Sequence, residues 1–87
     1  MKSRVLFVDD DPNILSAFRS ILRKEYRVVT REKTEEAIDL LAISQGEPFE
    51  VIVSDLRMPG ISGIEFLKKA RKIQPDAIRI LLTGHAD

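Results

Sequence analysis

The sequence contains no cysteine, so the chain can form neither a disulfide framework nor a thiolate metal site. It also carries no net charge, because 14 basic and 14 acidic side chains cancel, and no overall field draws it to nucleic acid or to an anionic membrane. No apolar run approaches the ~20 residues of a membrane span, and the first such run is too short for a signal peptide. We therefore expect no direct nucleic-acid or membrane binding, and a cytoplasmic location.

The composition is that of a small globular domain. Eighty-seven residues allow one domain, since domains commonly contain about 100 to 150 residues. Hydrophobic residues make up 44% of the chain, which is enough for a core, and the charged fraction of 32% is typical of an ordinary solvated surface.

The most informative stretch is residues 49–63, an apolar run that ends in a single aspartate, Asp55. The β-branched residues 51–53 predict a strand buried on both faces, as in a parallel sheet. Asp55 follows that strand at its carboxyl end, where ligands bind in open α/β sheets. Pro59 and Gly60 predict a turn directly afterwards, so the backbone carbonyls of the loop should face the same crevice.

Strands and helices alternate along the rest of the chain. Hydrophobic periodicity predicts strands at residues 4–8, 26–30, 51–53 and 77–82, and helices at residues 12–24 or 25, 33–45 and 63–74. Crossovers of this length require parallel strands. The predicted fold is α/β, a flavodoxin-like doubly wound parallel sheet with strand order 2-1-3-4.

The predicted helices carry recognisable end signals. Asp11 is a good N-cap and Pro12 a good first residue for the first helix. Ser62 and Glu65 predict a capping box at the start of the third. Gly46 suits a C-terminal cap of the second helix.

Polar residues follow three of the four predicted strands. Asp9 and Asp10 follow the first strand, Asp55 follows the third, and Thr83 follows the fourth. Strand order 2-1-3-4 makes the first and third strands neighbours, so the three acids should meet in one cleft. Carboxylates this close to one another cannot all be ionised at neutral pH without a counterion. Either one of them is protonated or a cation lies among them. Mg²⁺ accepts carboxylates, water and a backbone carbonyl, for which Arg57 is the natural donor.

Three motifs, V-D-D-D-P, V-S-D-L-R-M-P-G-I-S-G and I-L-L-T-G, occur in this order. With this spacing the sequence resembles the receiver domain of bacterial two-component response regulators over residues 4–87. The resemblance implies that Asp55 is the phosphoacceptor and that Asp10 binds Mg²⁺ directly. It further implies that Asp9 acts through water or as a second ligand, and that the Arg57 backbone carbonyl completes the protein's metal ligands.

The resemblance also implies contacts to the phosphoryl group and partners. Thr83 would hydrogen-bond a phosphoryl oxygen, assisted by backbone N–H groups near Arg57 and Gly84. A sensor histidine kinase would donate the phosphoryl group, and an output domain would follow residue 87. The ending T-G-H-A-D is similar to receivers attached to cyclic-dinucleotide phosphodiesterase domains. His85, the single histidine, is expected to be a surface loop residue rather than a catalytic one.

The sequence departs from the receiver pattern at its end. Receivers have five strands and five helices, with a phosphoryl-contacting lysine after the fifth strand, whereas this chain stops just past the fourth predicted strand. We therefore expect residues 1–87 to form an incomplete receiver, β1-α1-β2-α2-β3-α3-β4. An unpaired fourth strand and a partly uncovered sheet face should then promote self-association.

Two other functions compete with the phosphoacceptor. F-V-D-D-D and I-L-L-T resemble motifs of haloacid-dehalogenase phosphatases, in which Asp9 would be the nucleophile and Asp11 the general acid. Pro12 argues against the phosphatase, because it predicts the start of a helix where that family needs a loop. The other alternative is an inert fragment that retains only folding and self-association.

Overall fold

The computed structural model describes residues 2–83 of the chain, which form one parallel sheet flanked by three helices. The elements are β1 (Ser3–Val8), α1 (Pro12–Leu22), β2 (Tyr26–Arg31), α2 (Thr34–Ile43), β3 (Val51–Asp55), α3 (Gly63–Ile73) and β4 (Ile78–Leu82). The strands are all parallel in the order β2-β1-β3-β4. The predicted fold is confirmed. Within residues 2–83, no helix is long and apolar enough to cross a membrane.

The sheet separates two hydrophobic clusters, because alternate residues of each strand point to opposite faces. The larger cluster lies under α2 and α3 and includes Leu6, Ile52 and Phe66, which are fully buried. The smaller cluster lies under α1, where the rings of Phe7 and Phe18 stack with centroids 4.7 Å apart. Burial on both faces explains why the central strands are continuous apolar runs.

The register aligns the carboxyl ends of the strands. Val8 lies opposite Ser54 across β1 and β3, and Asp55 lies opposite Leu82 across β3 and β4. The residues that directly follow Val8 and Leu82 therefore emerge at the same edge of the sheet as Asp55.

The first helix begins as predicted and ends earlier. The Asp11 side chain accepts a hydrogen bond from Asn13 N at 2.9 Å, and Pro12 is the first helical residue. The helix ends at Leu22, not at residue 24 or 25, and the following strand extends one residue beyond the prediction, to Arg31. Such one- or two-residue differences are usual at frayed helix ends.

The prediction that Gly46 caps the second helix is wrong. Helix α2 ends at Ile43 with Ser44 as its C-cap. The buried side-chain amide of Gln74, from the end of α3, donates to Leu41 O at 2.9 Å and to Ser44 Oγ at 3.0 Å. A tertiary contact thus satisfies a terminal carbonyl of the helix, and no local glycine cap is needed.

Of the two reciprocal hydrogen bonds of the predicted capping box, the one accepted by the Ser62 side chain is present. Ser62 Oγ accepts from Glu65 N at 3.2 Å, as predicted. The Glu65 carboxylate instead lies 3.9 Å from Lys68 Nζ.

Strand β4 forms an edge of the sheet within the described residues. It pairs with β3 alone, and the side chains of Ile78 and Ile80 on its α1-facing surface are 63% and 42% exposed. The expected open edge and partly uncovered face are therefore present in residues 2–83.

Candidate functional site

Three carboxylates converge at the carboxyl edge of the sheet. Asp9 and Asp10 directly follow β1, and Asp55 ends β3, the strand that pairs with β1. Each of the three offers one carboxylate oxygen within 4.8 Å of the others. Asp9 and Asp55 are half-buried and Asp10 is exposed. The structure thus brings together the three acids singled out in the sequence.

The carboxylates lie in a pocket of about 480 Å³ that also contains Arg57 and Thr83. The apolar part of its lining includes Ile14 and Phe18 of α1 and Leu82 of β4. Thr83, directly after β4, is exposed. Gly84 and His85 lie outside the described residues. Asp10, Arg57 and Thr83 of its lining are exposed, so the pocket is open to solvent and a small charged group can enter it.

Two hydrogen bonds hold the turn that carries Asp9. Asp9 N donates to Arg31 O of β2 at 3.2 Å, and Asp9 Oδ1 accepts from Asp11 N at 2.9 Å. The Asp11 carboxylate caps α1 and is not part of the three-acid cluster. The turn therefore directs Asp9 toward Asp55 and assigns Asp11 to the helix.

The Asp55 carboxylate is oriented through one of its oxygens. Leu56 N donates to Asp55 Oδ1 at 2.9 Å and is also 3.1 Å from Leu82 O of the neighbouring strand. No side chain or backbone group among residues 2–83 donates a hydrogen bond to Asp55 Oδ2. One oxygen is thus held by the backbone and the other remains available to a ligand.

The surroundings of Asp9 perturb the pKa of its carboxyl group. Burial raises the pKa of the Asp9 carboxyl, and the nearby charges of Asp55 and Asp10 raise it further. The hydrogen bond from Asp11 N opposes these effects by stabilising the carboxylate. Among residues 2–83, no lysine or arginine forms an ion pair with any of the three acids.

This set of donors suits a hard divalent cation. Three carboxylates provide oxygen ligands, which Mg²⁺ prefers, and the two positive charges of the ion would offset most of their negative charge. The exposed side of the pocket leaves room for the water molecules that Mg²⁺ usually retains. The residues present therefore fit a magnesium site.

Comparison with known proteins identifies the family. Residues 5–87 match the family model of the response regulator receiver domain. This chain belongs to the receiver-domain family. The hydrogenase transcriptional regulatory protein HoxA of Cupriavidus necator is 41% identical over 86 residues, which cover 99% of this chain and 17% of HoxA. The receiver domain thus spans about a sixth of that curated relative's length.

Solved receiver structures share the fold. A CheY-like receiver domain protein from Methanospirillum hungatei superimposes with a TM-score of 0.88 at 32% identity, covering 100% of this chain and 68% of that one. TrrA from Thermotoga maritima, solved in complex with Mg²⁺ and BeF, gives a TM-score of 0.84 at 39% identity, covering 99% of this chain and 72% of TrrA. Receiver domains bind Mg²⁺ at an acidic pocket of this kind.

The alternative functions find no support in this receiver domain. A phosphatase of the haloacid-dehalogenase type would need Asp11 as a free general acid, but the Asp11 carboxylate caps α1. Neither the family match nor the relatives favour that phosphatase or an inert fragment.

Sequence reasoning missed two residues that contact the Asp55 backbone. Ser54 is fully buried, and its Oγ donates to Asp55 O at 2.9 Å. Gly63 lies so close that a Cβ placed on it would be 2.0 Å from Asp55 O. A signal for Gly63 was present, because glycine is a poor helix former and here directly follows the N-cap Ser62. No comparable signal marked Ser54.

Proposed function

We propose that this receiver domain takes a phosphoryl group from a sensor histidine kinase onto Asp55 in a Mg²⁺-dependent reaction. The convergence of Asp9, Asp10 and Asp55 within 4.8 Å supports this most directly. The same pocket contains Arg57 and Thr83, two further residues to which the receiver pattern gives a role. This arrangement would serve phosphoryl transfer, in which catalysis is mainly alignment and charge neutralisation.

In the proposed transfer, an Asp55 carboxylate oxygen forms a bond to phosphorus while the bond from phosphorus to the donor's imidazole nitrogen breaks. The electron pair of the broken bond stays on the imidazole, and Asp55 becomes an acyl phosphate. Because Leu56 N holds Oδ1, we assign Oδ2 as the attacking atom. Acyl phosphates hydrolyse readily, which suits a transient signal.

Three groups are proposed as direct ligands of Mg²⁺: the Asp10 and Asp55 carboxylates and the Arg57 backbone carbonyl. Asp9 would act through water or as a further ligand. When bound, the ion supplies positive charge that offsets the developing charge on the phosphoryl oxygens. The task of the chain is to hold these oxygens close together before the ion and the donor arrive.

The hydroxyl of Thr83 is proposed to donate a hydrogen bond to a phosphoryl oxygen. Its position at the end of β4, on the rim of the pocket, supports this role. Backbone N–H groups near Arg57 would assist. The proposed contribution of Gly84 stays a prediction, because that residue lies outside the described part of the chain.

The function can be tested with a small phosphodonor. The protein would be incubated with acetyl phosphate and Mg²⁺, and mass spectrometry would locate the added phosphoryl group. We expect modification at Asp55, its loss in Asp55→Asn, and its loss when Mg²⁺ is chelated. Asp76→Asn is the matched control, since Asp76 is exposed and lies outside the pocket.

The site of modification distinguishes the three functions considered. Modification at Asp55 supports the receiver function. A phosphoryl group found on Asp9 would favour the phosphatase, and an unmodified wild-type protein would favour the inert fragment.

We propose that the phosphorylated domain acts through an output function located outside residues 1–87. HoxA, which is about six times as long as the matched segment, is named as a transcriptional regulatory protein. The ending T-G-H-A-D instead favours a cyclic-dinucleotide phosphodiesterase as the output domain, and it lies almost wholly outside the described residues.

We also propose that residues 1–87 alone self-associate through β4. Among residues 2–83 the outer edge of β4 is unpaired and Ile78 and Ile80 are exposed, which supports this proposal, because bare edges and apolar patches recruit partners. Light scattering should detect oligomers of the 87-residue chain. A compact monomer with cooperative melting would contradict this proposal.

A further inference from the structure

The backbone carbonyl of Asp55 is held from two sides. Ser54 is fully buried beneath α3, and its hydroxyl donates to Asp55 O at 2.9 Å. Gly63, the first residue of α3, packs against the same carbonyl. A Cβ on Gly63 would lie 2.0 Å from Asp55 O and 2.9 Å from Asp55 C, closer than real Cβ atoms approach other atoms. Only glycine therefore lets α3 begin at this point.

These contacts fix both ends of the loop that carries Arg57. At its start, Leu56 N donates to Leu82 O at 3.1 Å and to Asp55 Oδ1 at 2.9 Å. At its end, Gly63 N donates to Leu56 O at 2.9 Å. The loop thus leaves β3 and returns to the same place. Its placement depends on how closely Gly63 approaches the Asp55 carbonyl.

We propose that Ser54 and Gly63 are positioning residues for phosphoryl transfer at Asp55. Together they clamp the Asp55 carbonyl, so that the Asp55 carboxylate and the Arg57 carbonyl face the same ion. The proposal rests on the function proposed above. Neither residue lines the pocket, and neither contacts the reacting groups. Their influence passes through the backbone alone.

The size of the effect follows from the geometry. To accommodate a Cβ, the start of α3 must move away from Asp55 O by about 1 Å, from 2.0 Å to beyond 3.0 Å. Misplacing reacting groups by about 1 Å lowers rates by about 100-fold. Removing the Ser54 hydroxyl deletes one hydrogen bond and introduces no clash, so its effect should be nearer fivefold.

The test compares Gly63→Ala and Ser54→Ala with wild type in the protein at its full encoded length. Three quantities are measured: the rate of phosphorylation by acetyl phosphate at saturating Mg²⁺, the Mg²⁺ concentration for half-maximal rate, and the midpoint of urea unfolding. Gly46→Ala is the matched glycine control, because nothing lies within 4 Å of a Cβ there. Ser44→Ala is the matched serine control, because Ser44 also makes a hydrogen bond but does not line the pocket.

We expect the saturating rate to fall about 100-fold in Gly63→Ala and about fivefold in Ser54→Ala. Both should also need more Mg²⁺, whereas Gly46→Ala and Ser44→Ala should keep the wild-type rate and Mg²⁺ dependence. A purely structural role would lower the urea midpoint and leave both kinetic quantities of the folded protein unchanged, which would overturn the proposal.

Two further outcomes are decisive. If Gly63→Ala does not fold, the kinetics of Ser54→Ala decide alone. If wild type itself is never modified at Asp55, the proposed function is wrong, and so is the positioning role that rests on it. If wild type is modified at Asp55 and both variants react at the wild-type rate, the positioning role of Ser54 and Gly63 is rejected while the proposed function stands.

Discussion

At the amino end of the sheet, the Arg4 guanidinium lies 4.2 Å from the centroid of the Phe49 ring and 3.4 Å from the Glu47 carboxylate. Arg27 lies 3.6 Å from the same carboxylate. At the carboxyl end, three carboxylates lie within 4.8 Å of one another, and among residues 2–83 no cation pairs with them.

Charged side chains at the amino end stabilise the fold, whereas those at the carboxyl end are arranged to bind a ligand. The opposite charges of Arg4, Arg27 and Glu47 at the amino end require no external ion, because they pair with one another. Like charges at the carboxyl end repel one another, so the fold tolerates them at some expense of stability and an added cation would relieve the repulsion. Perturbed groups of this kind cluster at functional sites. Substitutions at the two ends should therefore affect stability and activity differently.

The largest effect on stability is expected from Gln74→Ala at the amino end. Gln74 Oε1 accepts from Phe49 N at 2.8 Å, and its amide nitrogen donates to Leu41 O and Ser44 Oγ. Truncation leaves buried backbone groups unsatisfied, and the free energy of unfolding should fall by about 2 to 3 kcal/mol. Urea unfolding gives the value, with exposed Gln45→Ala as the control.

The phosphorylation rate of the same variant tests whether the two ends of the sheet are independent. Folded Gln74→Ala should accept the phosphoryl group at the wild-type rate, because the residue lies at the other end of the sheet. A large loss of rate in the folded protein would show that the two ends are not independent.

Mg²⁺ is expected to stabilise the carboxyl end. At an Mg²⁺ concentration tenfold above the dissociation constant, the free energy of unfolding should rise by about 1.4 kcal/mol. Asp10→Asn should abolish most of this gain, and NaCl at equal ionic strength should not reproduce it. Thermal melts with and without Mg²⁺ measure the effect, and equal gains from both salts would refute a specific site.

Asp9→Asn should stabilise the metal-free protein. Burial and the neighbouring acids hold the folded-state pKa of Asp9 above its ordinary value of 3.8. Between these two pKa values the folded state binds more protons than the unfolded state, so this carboxyl lowers stability as pH rises. The free energy of unfolding of the variant should exceed that of wild type by roughly 0.5 kcal/mol at neutral pH, and by less as pH falls toward 4.

Urea unfolding at several pH values, with chelator present, measures this difference. Exposed Asp39→Asn on α2 serves as the control, because it removes a carboxylate that lies outside the cluster. A gain that stays constant from pH 4 to pH 7 would rule out the charge of Asp9 as its cause.

The smallest effect is expected from Glu47→Gln at the amino end. The variant removes both ion pairs of that carboxylate, but Glu47 is exposed, and exposed pairs contribute about 0.2 to 1 kcal/mol. We expect a loss near 0.3 kcal/mol that disappears in high salt. A loss as large as that of Gln74→Ala would show that the amino end depends on its charges more than its exposure suggests.

Local sequence patterns predicted most of the fold and the members of the acidic cluster. Apolar runs 4–8 and 51–53 marked the two central strands, and the acids that follow them could be placed at one edge because parallel strands share their carboxyl ends. The prediction of Gly46 as a cap failed, because Gln74 reaches α2 from a distant part of the chain. Helix-end signals describe near neighbours only, and such a contact overrides them.

The sequence by itself determined the order of strands and helices, their parallel arrangement and which acids follow which strand, because hydrophobic period and end signals are local properties. Only the tertiary structure decided how closely Asp9, Asp10 and Asp55 approach, and that Ser54 and Gly63 enclose the Asp55 carbonyl. These features depend on strand register and on the approach of α3 to β3. Such distances are fixed by packing between residues far apart in the chain.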